Sequence, residues 1–88
     1  MTVDIIIHQS GMETGVTEDA TIDVVGVYSN NKKALQSFQY YLDALEEGWR
    51  QANTPLIFNR FSEPMQNIIA YASCPGHSVW IIREEIQD

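Results

Sequence analysis

The sequence predicts an α+β fold, a single antiparallel or mixed sheet of four to five strands in the order β-β-α-β-β-β with one long helix packed on one face. Three observations lead there. Apolar residues recur at helical spacing through the middle of the chain, short β-branched runs lie on both sides of that stretch, and Gly, Pro and Asn clusters separate the runs. With 88 residues the chain is predicted to form one domain, 1–88, since so short a chain cannot enclose two apolar cores.

Residues 3–9 read as the first strand, with Val3, Ile5 and Ile7 on one face and Asp4, Ile6 and His8 on the other. The following stretch carries Gly11 and Gly15 among polar residues and reads as a connection. Residues 20–28 form the second predicted strand, rich in β-branched side chains, with Gly26 marking a bulge or close approach.

Ser29, Asn30 and Asn31 all suit a helix N-cap, because their side-chain oxygens accept from the unpaired amides of a first turn. From Lys32 to about Asn53, Leu35, Phe38, Leu42, Leu45 and Trp49 are spaced three, four, three and four apart, which places them on one side of a helix facing the sheet. Tyr40 and Tyr41 cannot both face inward, and Glu46 and Arg50 are spaced for an i,i+4 pair. Pro55 ends the helix. Residues 56–61 then read as a third strand. Residues 67–74 and 78–85 flank Pro75, Gly76 and His77 in the layout of a hairpin.

Composition limits function. A formal charge of -7 and only five Lys or Arg argue against direct binding to nucleic acid or to an anionic membrane, both of which need clustered cations. The first basic residue is Lys32, so Asp4, Glu13, Glu18, Asp19 and Asp23 all precede any local cationic partner. A lone cysteine, Cys74, allows no internal disulfide, and the N-terminal residues lack both a basic segment and a long apolar run, so a cytoplasmic location is expected.

The residues offer little catalytic chemistry. Cys74 and His77 have a C-x-x-H spacing that suits zinc, with His8 and a carboxylate left to complete four ligands; a small buried cysteine at a strand end and a polar turn histidine explain the same spacing without metal. Glu18 with Asp19, Glu46 with Glu47 and Glu84 with Glu85 are paired carboxylates, but a loop, a solvated helix face and a chain end do not raise a carboxyl pKa as acid/base chemistry requires. No phosphate-binding glycine motif or calcium loop is present, and no cofactor or enzymatic activity is expected.

What remains is display of charge. Glu13, Glu18, Asp19 and Asp23, together with Tyr40, Asp43, Glu46 and Glu47 on the helix, are the expected contacts to a basic protein partner of the kind that normally holds nucleic acid. In size, acidity and lack of a catalytic constellation the chain resembles the small inhibitors that bacteriophages use against host defence nucleases, a likeness of general type that rests on no motif. The alternative is a self-associating structural or regulatory domain, a homodimer formed through a sheet edge or an uncovered sheet face, for which Ile6, His8, Val25, Val27 and Trp80 supply two-sided apolar character. A small metal-binding protein using Cys74 and His77 is a further alternative.

Overall fold

In the computed structural model, which describes residues 1–11, 21–61 and 66–87, the strands are β1 (Thr2–Ser10), β2 (Thr21–Tyr28), β3 (Asn59–Phe61), β4 (Ile68–Cys74) and β5 (His77–Glu85), with the helix α1 (Asn31–Gln51) between β2 and β3. They form one five-stranded antiparallel sheet in the order β2-β1-β5-β4-β3. The expected α+β architecture is therefore present, with all pairings antiparallel. The central ladder joins the N-terminal strand to the C-terminal one, pairing Thr2 with Glu85 and Ser10 with His77.

The Asn30 side chain accepts from the Lys33 amide at 3.2 Å and so caps the helix start. At the other end Asn53 takes φ 60, while its amide donates to the Arg50 carbonyl and the Thr54 amide donates to the Trp49 carbonyl. This is a Schellman closure with asparagine in the left-handed position that glycine usually fills. Between β4 and β5 the turn is Pro75-Gly76, with Gly76 at φ 82. Proline at the first central position and a positive φ at the second make it a type II turn. His77 thus opens β5 opposite Cys74, where the sequence suggested it would lie in the turn.

The helix covers one face of the sheet. Phe38 and Leu42 are fully buried against Ile6, Ala70, Ala72, Val79 and Ile81, with Leu35, Leu45 and Trp49 packed around them. Small residues on β4 let the helix approach, and each large side chain buried in this layer contributes about 1.5–3 kcal/mol. Asp4, Ile6 and His8 are the β1 side chains on this covered side. Ile6, His8 and Val25 therefore belong to the helix layer, whereas Val27 lies on the opposite face with Ile5, its register partner.

Two register shifts shape the strands. One, between Ile6 and Ile7, inserts Val25 into the core side of β2 and leaves both Val24 and Val27 pointing away from the helix. The other, between Ile68 and Ala70, turns Ile69 towards the core. The third strand is shorter than the sequence suggested. Among the described residues only 59–61 pair with β4, and the Phe58 amide before them donates to Glu46 Oε2 at 2.8 Å instead.

Candidate functional site

Two polar clusters and one acidic helix surface hold the candidate functional residues. The first cluster begins at His8, where β1 passes beneath the second half of α1. Its Nδ1 lies 2.6 Å from the Tyr41 hydroxyl and its Nε2 lies 3.0 Å from His77 Nδ1. His77 in turn packs against Trp49, ring centroids 4.7 Å apart, and Trp49 packs on Phe58. Tyr41 is thus the inward-facing member of the tyrosine pair, and Tyr40 points to solvent.

Burial of His8 lowers its pKa below the ordinary histidine value, the neighbouring His77 lowers it further, and the Asp23 carboxylate acts in the opposite direction. Burial also raises the Tyr41 pKa, with Asp23 adding to the effect. A neutral chain satisfies both contacts, and a proton on His8 alone still leaves acceptors at Tyr41 and His77. Protonating both rings would set two N–H groups against each other. The chain links strand, helix and hairpin, and accepts at most one positive charge.

Cys74 is buried beside this cluster in register opposite His77. Zinc would need further ligands there, and among the described residues no three His, Cys, Asp or Glu side chains converge in a way that could hold a metal ion.

The second cluster lies on Asp4. Its carboxylate is 3% exposed and accepts from Arg83 Nε at 2.9 Å, from Arg83 Nη2 at 3.3 Å and from the Asn31 side chain at 3.2 Å. The bond from Arg83 holds the Asp4 pKa below the usual carboxylate range in spite of burial. Asp4 was expected to form part of an unpaired acidic field. Instead, antiparallel pairing of β1 with β5 sets residue 83 directly opposite residue 4 and neutralises it.

On the helix, Tyr40 is 77% exposed, and Asp43 and Glu47 lie on the following two turns of the same side. These carboxylates have internal partners. Arg60 of β3 donates to Asp43 at 2.7 Å, to Glu46 at 2.8 Å and to Gln39, while Arg50 donates to Glu47. The expected Glu46–Arg50 pair is replaced by Glu47–Arg50 at i,i+3, because Glu46 turns towards β3 to receive Arg60 and the Phe58 amide. Glu46 therefore fastens the helix to the chain that follows it.

Asp23 is exposed on β2, opposite His8. Glu13, Glu18 and Asp19 lie outside the described residues. Tyr41, Trp49, Arg60 and Arg83 were not singled out from the sequence as site residues; the β1–β5 register that pairs Asp4 with Arg83 is non-local and has no local sequence signal. A shallow cleft of about 460 Å³ beside Tyr40 is lined by Val25, Tyr28, Gln36, Ser37 and Tyr41, a mixed aromatic and polar lining. Comparison with protein-family models finds no matching family, and comparisons with curated proteins and with solved structures find no match in either.

Glu46→Ala removes the acceptor of both the Phe58 amide and Arg60, so it should cost about 1–2 kcal/mol in urea unfolding. Glu47→Ala, which breaks only solvent-exposed contacts, should leave the urea midpoint nearly unchanged. Equal effects would contradict the assignment.

His8 provides a pH dependence of definite sign. A histidine with a lowered folded pKa favours the neutral native state, so its contribution is fully present above about pH 6.5 and is lost as pH falls through the folded value. Stability should decline as pH drops below about 6.5, and His8→Gln should flatten that slope. Urea melts across this window check it; an unchanged slope in the variant would remove His8 as the cause.

Proposed function

We propose that the protein is a small, non-enzymatic acidic binding protein that occupies a basic, nucleic-acid-binding surface of another protein, in the manner of the small inhibitors that bacteriophages use against host defence nucleases. The observation that carries this reading is where the cations go. All five Lys and Arg lie among the described residues, and Arg50, Arg60 and Arg83 are each held by a carboxylate of the same chain. Only Lys32 and Lys33 are left to balance Glu13, Glu18, Asp19, Glu63 and Asp88, as well as the exposed Asp23 and Glu84, which have no Lys or Arg partner among the described residues. Carboxylates outnumber the remaining cations whatever the path of the chain through residues 12–20 and 62–65.

Uncompensated negative charge of this kind speeds encounter with a positive surface and excludes nucleic acid from it. Exposed Tyr40, with Gln36 and Asp43 on adjacent turns, adds an aromatic anchor of the type enriched at protein interfaces. The Tyr41–His8–His77 chain fits a packing role, since it lies between the helix and the sheet with His8 buried.

The test is low-salt capture of partners from native-host lysate by immobilised protein, followed by competition with duplex DNA and RNA. A captured nucleic-acid-binding protein that nucleic acid displaces, and whose association slows about tenfold or more when Glu13, Glu18 and Asp19 are reversed to Lys, is the expected result. A partner that keeps its nucleic acid while bound, or association unaffected by charge reversal and by salt, contradicts the proposal.

A further inference from the structure

The sheet face turned away from α1 is apolar from one edge strand to the other. β1 contributes Ile5 and Ile7, β5 contributes Trp80 and Ile82, and β4 contributes Ile68 and Tyr71. On the edge strands Ile22, Val24 and Val27 are 64%, 63% and 57% exposed, and Phe61 is 51% exposed. Alternation puts Gln9, Ser73 and Ser78 along one end of this face and Glu84 at the other, so an apolar centre has a polar margin. Among the described strand residues Glu84 is the only charged side chain placed there. Among the described residues no second layer of helix or strand packs on this side, where Val3 and Ser78 are buried, the central-strand side chains Ile5, Ile7, Trp80 and Ile82 are half-buried, and the edge strands are the most exposed.

We infer that this face is the contact surface of a homodimer, in which a second copy of the chain packs its own open face against the first as an aligned β-sandwich. Three features select a second copy as the occupant. The first is charge. A chain of net charge -7 repels itself, but among the described strand residues this face brings only Glu84, at its margin, into contact, and a basic partner would find no other carboxylate of those strands to pair with.

The second is shape. The β2-β1 half is aliphatic, with Ile5, Ile7, Ile22, Val24 and Val27, while the β5-β4-β3 half carries the rings of Trp80, Tyr71 and Phe61, the last two in contact at 5.8 Å. A two-fold axis lying between the sheets and parallel to the strands sets each aliphatic half on the other copy's aromatic half, so the surface complements itself.

The third is area. Five strands about 4.8 Å apart and about 25 Å long give a face of roughly 500–600 Å² per copy, or about 1,000–1,200 Å² for the pair, at the lower limit for a specific interface. The dimer is accordingly expected in the micromolar range. It leaves the acidic helix surface with Tyr40 and Asp43 facing outward on both copies, available to the partner proposed above, and it does not depend on that partner.

Sedimentation velocity of the full chain from about 1 to about 500 µM tests the inference, with Val24→Glu and Ile22→Glu as interface variants and Tyr40→Ala as the helix-face control. Both interface positions are exposed on an edge strand, so the variants should fold, which circular dichroism checks. The expected result is a reversible monomer–dimer equilibrium that each interface variant weakens at least tenfold and Tyr40→Ala leaves unchanged, with high salt failing to dissociate the dimer. A monomer at the highest concentration overturns the proposal. So does a dimer that survives both glutamates, which would place the contact at a sheet edge, or one that Tyr40→Ala dissociates.

Discussion

One helix covers one side of a sheet that is apolar on both sides, and most of the structure follows from that constraint. The 21 residues of α1 bury Phe38 and Leu42 on Ile6, Val79 and Ile81, and the alanines of β4 make room for them. Removing that apolar area from water is the main favourable term in folding a chain this small. Strand alternation then fixes what is left over. Every inward residue on β1 and β5 has an outward neighbour, and most of those neighbours are Ile, Val or Trp.

Polar groups inside the covered layer are handled in pairs. Asp4 is buried and held by Arg83 and Asn31, His8 lies between Tyr41 and His77, and Glu46 receives Arg60 and the Phe58 amide. Each contact joins elements distant in sequence, so each also fixes how strand, helix and hairpin meet. Leaving any of these groups buried without its partner would cost more than the contact itself contributes. Two of these pairings hold Arg60 and Arg83, and Glu47 holds Arg50 at the surface, so the carboxylates outnumber the cations that remain. Structure and charge are linked here: Arg60 and Arg83 serve the fold, and Asp23 and Glu84 are left exposed.

Helix period, cap and proline stop made α1 legible almost to the residue, because those signals are local and act through one element. The strands were legible as strands for the same reason, apart from the third, whose beginning gives its amide to Glu46 instead of a ladder. What the sequence concealed were pairings set by register. Asp4 and Arg83 are 79 residues apart and meet only because β1 lies antiparallel to β5. One bulge likewise decides which of Val24, Val25 and Val27 face the helix, and a one-residue shift of that kind leaves no mark in composition. At the candidate surface, the sequence narrowed the outward tyrosine to two residues, and helical phase with the His8 contact resolved it to Tyr40.

The two sides of the sheet can be read separately in solution. Methyl NMR with a soluble paramagnetic agent reports which side chains solvent reaches, and a concentration series shows whether a second molecule covers them. Methyls of Ile6, Leu42, Val79 and Ile81 should be protected at every concentration, whereas those of Ile7, Val24 and Ile82 should be strongly attenuated in dilute protein and become protected as concentration rises. Equal protection of both sets in dilute protein, or attenuation of Ile6 and Ile81, would contradict a one-sided helix layer over an open apolar face.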